Sequence, residues 1–541
     1  MGGQHNVHVV RILQVLKAAA LPVILFSGAW AIWPGADGGG VSFGSRDYGP
    51  EVKHVIKVAP GPWYMPGTEP FGIGKPLHGL ADVIRAFEAR FPDTRVECNT
   101  VPIFRREFLV TQLSSSQAPD IINVNVEDVW QDVQKGWYVP LDYWLEQPNP
   151  FIVEKGDPSA PGAAQWWDMF EYQAISRGKA APDNRNYCIS FDMIETGIYY
   201  NKNVFRKAGV EVPEDWEQFL EVLQKLQDAG YIPLLMLVEL FNDWGTDLLF
   251  DQLYYDLLPG IDLVQDPVRE AYLQGYLDWD ELAFLFEKGF FTPRDARYRE
   301  VFRIMKELRR YTNRNLTGTD LLREFVTQQG AMLWHPSNVV YRLKADKSLG
   351  FEWGVFYPPP FTKKTSRYAS ETSMCVIGGS AVQFEVTNTA LSDTDPALPL
   401  EERMQQSDRL KRVIALLQWL CVPEHYEQIV NEYEALIPNI KGVEPLPALQ
   451  PFVEILRRRY TTTKWTFTFD LKFTEVQRRL LDLYLNDGAT LDEFLEAQAE
   501  NIAYATHNAV MRKNLNLGRL EARWRELAPV RAMMEDLPCD D

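Results

Sequence analysis

Trp63 and Tyr64 form an aromatic pair directly after the apolar, strand-like segment 54–59. In an open α/β sheet, ligands bind beyond the carboxyl ends of the strands, so both residues are candidate ligand contacts. An aromatic ring is a flat apolar platform, which suits a ligand that has an apolar face. A structural alternative stays open, in which Trp63 packs under the loop at Pro66 and Gly67.

Asn125, Glu127 and Asp128 lie at or just after the end of a second strand-like segment, 121–126. A carboxylate only accepts hydrogen bonds, so Glu127 and Asp128 suit a ligand that carries hydroxyl donors. The alternative is that one of these two residues caps the helix predicted to follow. The sequence alone leaves both interpretations open.

The sequence contains no familiar motif for metal binding, nucleotide binding or nucleophilic catalysis. Its seven His and five Cys form no H-E-x-x-H, no C-x-x-C and no compact Cys/His cluster. There is no G-x-x-x-x-G-K-[ST] phosphate loop and no G-x-S-x-G elbow, and Gly72 and Gly74 lack the third glycine of a dinucleotide fingerprint. We therefore predict no catalytic residues, no metal and no cofactor.

The composition indicates an acidic globular protein. Of the 541 residues, 46% are hydrophobic and 13% aromatic, which allows a large buried core and argues against general disorder. Lys and Arg number 55 and Asp and Glu number 74, giving a formal net charge of −19 at pH 7. Because such a chain repels nucleic acids and anionic lipids, we predict no nucleic-acid partner.

The hydrophobic pattern of the first third of the chain predicts alternating strands and helices. Strand-like segments at 54–59, 95–101 and 121–126 alternate with helical patterns at 77–91 and 104–114. This order is typical of a mainly parallel sheet covered by helices. Later in the chain we predict long helices at 238–256 and 266–311, a surface loop at 384–401, and mostly helix from 409 onwards.

Residues 1–31 have the pattern of an export signal. The first 36 residues contain no acidic residue, and an apolar stretch occupies 18–33. Ala29 and Ala31 provide the small residues of an A-x-A cleavage site. We predict a signal peptide or an uncleaved N-terminal anchor, followed by a linker at 32–53; a buried helix of the folded domain is the structural alternative. The protein would then be periplasmic or extracytoplasmic, and an uncleaved segment would tether it to the membrane.

Four stretches of the sequence carry a resemblance to a known family. In order, they are F-E-A-R-F-P-D-T-R-V at 87–96, A-P-D-I-I at 118–122 followed by G-W-Y-V-P-L-D at 136–142, G-I-Y-Y-N-K-N-V-F at 197–205, and G-A-M at 330–332. The chain resembles the extracellular solute-binding proteins of ABC importers, in the carbohydrate-binding branch that includes maltose-binding protein. The resemblance covers roughly residues 54–510, and its Y-N-K-x-x-F block is the most specific part.

The resemblance implies an α/β fold of two lobes, the class II periplasmic-binding-protein fold, with hinge crossings and a largely helical C-terminal region. Lobe 1 would comprise 54–192 and 359–440, and lobe 2 would comprise 193–358. The helical segment 441–541 would lie mainly on lobe 2.

The resemblance also points to residues near the hinge and in the second lobe. Glu195 falls at the expected first hinge crossing, where solvent-exposed hinge polarity is the alternative. Asp243 and Trp244 interrupt an apolar stretch, and Asp243 as a helix cap is the alternative there. Family members place an aromatic residue near Asn338, so the stacking ring is missing here or replaced by Trp334 or His335. The remaining candidates are Glu371 and Trp465.

The function implied by the resemblance is the capture of a carbohydrate, an oligosaccharide, between the two lobes. The protein would act as a monomer and deliver the sugar to the permease subunits of an ABC transporter. In the family, the loop of Glu127 and Asp128 accepts sugar hydroxyls, and an aromatic residue such as Trp63 would stack on a sugar ring. Two alternatives stay open: a secreted glycoside hydrolase or lyase, and a sugar-sensing ectodomain.

Overall fold

The computed structural model describes residues 48–99, 106–124, 129, 132–172, 183, 185–264, 277, 279–317, 320–376, 378–461, 471–513 and 517–534. The strands are β1 (His54–Ala59), β2 (Thr94–Cys98), β3 (Ile121–Asn123), β4 (Cys188–Ser190), β5 (Asp192–Met193), β6 (Thr196–Asn201), β7 (Ile232–Leu235), β8 (Gly330–Pro336), β9 (Trp353–Phe356), β10 (Met374–Val376), β11 (Gln383–Val386), β12 (Ile437–Pro438) and β13 (Arg459–Thr461).

The helices include several long ones in the C-terminal part of the chain. In chain order they are α1 (Gly79–Arg90), α2 (Arg106–Ser114), α3 (Asp142–Leu145), α4 (Pro150–Val153), α5 (Lys202–Ala208), α6 (Trp216–Asp228), α7 (Val238–Leu240), α8 (Thr246–Tyr254), α9 (Leu258–Ile261), α10 (Trp279–Glu287), α11 (Ala296–Arg309), α12 (Leu321–Val326), α13 (Val339–Ala345), α14 (Leu400–Gln406), α15 (Asp408–Leu420), α16 (Pro423–Val430), α17 (Gln450–Leu456), α18 (Leu471–Leu485), α19 (Leu491–Lys513), α20 (Gly518–Glu526) and α21 (Ala528–Arg531). A π-helical turn, Phe241–Gly245, joins α7 to α8.

The first sheet has the strand order β2-β1-β3-β11-β4. Strands β1, β2 and β3 are parallel, as the alternating pattern predicts, whereas β11 runs antiparallel between β3 and β4. Helix α1 packs on this sheet because Leu80, Val83, Ile84 and Phe87 recur at helical spacing and are all buried. The carboxyl ends of β1 and β3 therefore lie at one edge of the sheet.

The second sheet has the strand order β7-β8-β6-β9. Strand β6 is antiparallel to both of its neighbours, and β7 is parallel to β8. Asn201, at the end of β6, caps α5 by accepting hydrogen bonds from the N–H groups of Asn203 and Val204 at 2.9 and 3.1 Å. The Y-N-K motif thus marks a turn from strand to helix.

The apolar side chains form two large cores, which define two lobes. The first core draws on residues 56–194 and 382–443, and the second on residues 193–376 and 437–527. The chain therefore passes between the lobes more than once. Phe361 and Val376, inside the predicted lobe 1 segment 359–440, pack in the second core. The predicted segment bounds at 192, 358 and 440 stay a prediction.

Short strands accompany the passages between the lobes. Strand β5 pairs with β12, with Asp192 opposite Pro438 and Met193 opposite Ile437. The chain near Gly378 lies directly against the chain that follows β5. A Cβ at Gly378 would come 1.8 Å from the Ile194 carbonyl oxygen. Only glycine allows the two backbones to approach so closely.

Two expectations for secondary structure need correction. The predicted surface loop 384–401 begins with a buried strand, β11, in the interior of the first sheet. The predicted helix 266–311 is interrupted between α10 and α11, where Gly289 has a φ of +72° and Pro293 follows. Proline lacks the N–H that a helix interior requires, so the chain turns there.

The N-terminal segment 1–31 and most of the linker 32–53 lie outside the described residues. Within the part of the chain that the structure describes, no helix is both long and apolar enough to cross a membrane.

Candidate functional site

Asp192 is a buried carboxylate at the first passage between the lobes. Its Oδ1 accepts hydrogen bonds from the N–H groups of Ala381 and Val382 at 2.7 and 3.1 Å and from the Ser380 hydroxyl at 3.3 Å. Its Oδ2 accepts from the Tyr64 hydroxyl at 2.8 Å. Burial raises the pKa of Asp192 to about 6, although these four donors favour the ionised form. Asp192 therefore ties two passages to the loop after β1.

Glu195 is also fully buried, three residues further on. One carboxylate oxygen accepts from the N–H of Thr196 at 2.7 Å, and the other accepts from the N–H of Gly378 at 3.0 Å. Its backbone carbonyl accepts from the N–H of Ser337 at 2.7 Å. The structure thus places Glu195 inside the hinge, where it joins two passages and the end of β8.

His335 and Asn338 lie at the carboxyl end of β8, close to Glu195. His335 pairs with Gly197 across the sheet. Burial, helped by the positive charge of Arg342, lowers the pKa of His335 to about 4, so its imidazole is neutral at pH 7. Asn338 is buried at the start of α13, and its side chain makes no cap hydrogen bond. Both side chains offer neutral hydrogen-bonding groups.

Trp244 lies where the two lobes meet, because its partly buried ring packs against both cores. It belongs to the π-helical turn Phe241–Gly245, together with the backbone of Asp243 and the buried Asn242. Such turns widen a helix locally and are frequent at functional sites. The predicted interruption of the apolar stretch is thus a distorted turn that directs an aromatic ring to the lobe boundary.

A group of four aromatic rings spans this boundary. Trp63 is T-shaped to Phe71 at 5.2 Å between ring centroids, Phe71 lies 6.1 Å from Tyr341, and Tyr341 is T-shaped to Tyr433 at 5.3 Å. The Tyr433 hydroxyl donates to the Trp63 carbonyl at 2.9 Å, which closes the ring of contacts. Trp63 is 8% exposed and packs in the first core.

Sequence reasoning missed Phe71, Tyr341 and Tyr433. Tyr341 follows Asn338 by three residues, so it lies one helical turn further along the same side of α13. That spacing was the available signal for an aromatic residue displaced from the position of Asn338.

Of the remaining predicted residues, the structure describes only Glu371, which is not part of this group. Glu371 is exposed, and its Oε1 accepts from the N–H of Lys363 at 3.2 Å. Asn125, Glu127, Asp128 and Trp465 lie outside the described residues, so their roles stay predictions.

The arrangement suits binding of a neutral molecule. Rings from both lobes, a neutral imidazole and an amide lie near the boundary, whereas the carboxylates of Asp192 and Glu195 are engaged by hinge groups. Among the described residues, no group of three or more His, Cys, Asp or Glu side chains has the geometry to hold a metal ion.

Comparisons with known proteins bear on this architecture. The family of bacterial extracellular solute-binding proteins matches residues 76–382, more than half of the chain. The chain is 24% identical over 158 residues to the multiple sugar-binding protein of Streptococcus mutans, a stretch that covers 29% of this chain and only 32% of that relative.

Solved structures extend the similarity over most of the chain. RafE from Streptococcus pneumoniae, in its apo form, has a TM-score of 0.58 at 16% identity, over 85% of this chain and 99% of that one. The sugar-binding protein MalE from Xanthomonas citri has a TM-score of 0.56 at 13% identity, over 85% of this chain and 100% of that one.

The chain belongs to the family of bacterial extracellular solute-binding proteins. The structural similarities, at these identities, show the fold: two α/β lobes joined by hinge passages. The predicted family and the predicted two-lobed fold, with its largely helical C-terminal region, are both confirmed.

Proposed function

We propose that the protein is an extracytoplasmic binding protein that captures a carbohydrate between its two lobes and does not transform it. The observation that carries the proposal is the meeting of aromatic rings from both lobes at the strand-end loops, in a chain of this family. A sugar ring has an apolar face for such rings and hydroxyl groups for neutral and acidic hydrogen-bond partners. The multiple sugar-binding protein of Streptococcus mutans and the sugar-binding protein MalE of Xanthomonas citri, both similar to this chain, are named for this class of ligand.

The ligand in this proposal is an oligosaccharide. Trp244 packs against a sugar ring from the second lobe, and Glu127 and Asp128 accept its hydroxyl groups from the first lobe. His335 and Asn338 supply neutral hydrogen bonds beside the hinge. The protein acts as a monomer, carries an export signal or membrane tether at its N-terminus, and delivers the sugar to the permease of an ABC transporter.

A thermal-unfolding screen tests the ligand class. The purified protein is heated with glucose, maltose, maltotriose or raffinose, and each mixture is then analysed for cleaved sugar. A ligand that binds only the folded state stabilises it by about 2.7 kcal/mol at a hundredfold excess over Kd, so at least one oligosaccharide should raise the unfolding midpoint and remain intact. Release of a shorter sugar would contradict the proposal in favour of an enzyme.

Trp244→Ala tests the second-lobe contact with the best sugar from that screen. Loss of an aromatic stack costs about 1 kcal/mol, so we expect Kd to rise about fivefold. Trp137→Ala is the matched control. The Trp137 carbonyl accepts a hydrogen bond from the N–H of Asn388, just beyond the end of β11, so Trp137 lies at the opposite edge of the first sheet from the site. Equal Kd values for the two variants would remove Trp244 from the site.

A further inference from the structure

Tyr341 reaches from the second lobe into an aromatic group of the first. Its helix, α13, is anchored in the second core through the buried residues Val339, Val340 and Leu343. Its own ring instead packs against the first core, between Phe71 and Tyr433. The Tyr341 ring thus forms a bridge between the two lobes, in addition to the hinge passages and the Trp244 contact.

The tip of the same side chain makes a directional contact. The Tyr341 hydroxyl donates to the Ile73 carbonyl oxygen at 3.0 Å. Gly74 lies directly beside it, and a Cβ on Gly74 would come 2.0 Å from the hydroxyl oxygen. The loop after β1 therefore admits the hydroxyl only because residue 74 has no side chain.

Phe71, in the same loop, has an unusual backbone conformation next to the Tyr341 contact. Its backbone φ is +54°, in the left-handed region that residues other than glycine rarely adopt. Such a conformation persists where surrounding contacts hold it. Here the Phe71 ring lies between Trp63 in its own lobe and Tyr341 in the other lobe.

A second contact joins the same helix to the first lobe. Lys344, one turn after Tyr341, forms an ion pair with Glu434. Glu434 follows Tyr433 directly and lies shortly before β12. Helix α13 is therefore held to the first lobe by ring packing, a hydrogen bond and an ion pair.

We propose that Phe71, Ile73, Gly74, Tyr341 and Tyr433 form an interlobe clasp that holds the two lobes together before any ligand binds. Opening the lobes breaks the Tyr341–Ile73 hydrogen bond and exposes the Phe71 and Tyr341 rings. The clasp shifts the equilibrium towards the closed form, so the open form that admits a ligand is less populated than it would be without these contacts. The inference rests on the two-lobed fold and holds for any class of ligand.

Small-angle X-ray scattering of the ligand-free full chain tests the clasp with two glycine variants. Gly74→Ala places a methyl group on the Tyr341 hydroxyl and should raise the radius of gyration. Gly72→Ala is the matched control: Gly72 also has a positive φ, +70°, in the same loop, but a Cβ there meets nothing within 4 Å. The control should scatter like the wild type. Equal radii of gyration for both variants and the wild type would overturn the clasp.

Tyr341→Phe keeps the test decisive if Gly74→Ala does not fold, as judged by circular dichroism. It retains the ring and removes only the hydroxyl that donates to Ile73. Amide hydrogen exchange in the peptide that spans residues 70–78 should then quicken in the ligand-free protein, while Tyr143→Phe, on an exposed ring, should leave it unchanged. Unchanged exchange in Tyr341→Phe would overturn the clasp. Because no ligand is present, neither result depends on the carbohydrate proposal.

Discussion

Asp192 lies at the first passage between the lobes, and its buried carboxylate makes folding depend on pH. Its pKa is about 6 in the folded protein, against about 3.9 in an unfolded chain. Between these values the folded state binds more protons, so the free energy of unfolding falls as the pH rises through this window and levels off above it. A difference of two units corresponds to about 3 kcal/mol.

The corresponding prediction concerns Asp192→Asn, which cannot titrate. The difference in unfolding free energy between wild type and variant should favour the wild type more at pH 4 than at pH 7, by up to about 3 kcal/mol. Urea unfolding at a series of pH values measures this difference. A difference that stays constant with pH would show that the carboxyl titrates normally.

Arg409 neutralises the fully buried Asp120 in the first lobe. Its Nε and Nη2 donate to the two carboxylate oxygens at 2.8 and 2.7 Å. Arg409→Ala leaves a buried charge without its partner, so we expect a loss of about 3–5 kcal/mol in the free energy of unfolding. Lys411→Ala, which breaks the exposed pair with Asp408 on the same helix, should cost no more than about 0.5 kcal/mol. Similar costs in urea unfolding would contradict this account.

The sequence indicated that aromatic and polar residues lie at the boundary between the lobes, but it did not identify all of these residues correctly. Tyr64 was predicted as a ligand contact because it follows a strand, and its hydroxyl lies at the hinge on Asp192. The family resemblance predicts an aromatic residue near Asn338, whereas the aromatic ring lies one turn later at Tyr341. Spacing along the chain cannot show which lobe a ring will touch, since that depends on how two separately folded bodies meet.

The passages between the lobes depend on a close approach of two backbones. Gly378→Ala would press a methyl group onto the Ile194 carbonyl oxygen, so we expect a loss of about 1–3 kcal/mol in the free energy of unfolding. Gly350→Ala is the matched control, because a Cβ there meets nothing within 4 Å, and it should be neutral or slightly stabilising. Chemical denaturation of both variants decides the matter. A neutral Gly378→Ala would mean that the passages move apart freely.

Strand β11 shows where element prediction failed and why. Its residues alternate between the polar Gln383 and Glu385 and the apolar Phe384 and Val386, and all four are buried. The Glu385 carboxylate accepts from the N–H of Val124 at 3.1 Å. From residue type alone, a polar side chain that is buried with a hydrogen-bond partner cannot be distinguished from a polar side chain on the surface. The β-α-β order of residues 54–123 was recognisable because local periodicity determines it.

The division into two cores emerged from sequence only through family resemblance. Local patterns give strands and helices, but they do not reveal that residues 382–443 return to the first core while residues 437–527 complete the second. Those associations join segments that are far apart in the sequence. They could be predicted only because several family motifs occur in the right order. The C-terminal helices were predictable as helices from local patterns, whereas only the family resemblance predicted that they lie mainly on lobe 2.

Carbohydrate capture between the lobes is tested most directly by calorimetric titration of the full chain with the oligosaccharide that raises its unfolding midpoint most. We predict saturable heat, one sugar bound per chain, and recovery of the same sugar unchanged afterwards. A single site follows from one boundary between two lobes. Heat without saturation, more than one sugar per chain, or a cleaved sugar would contradict the account.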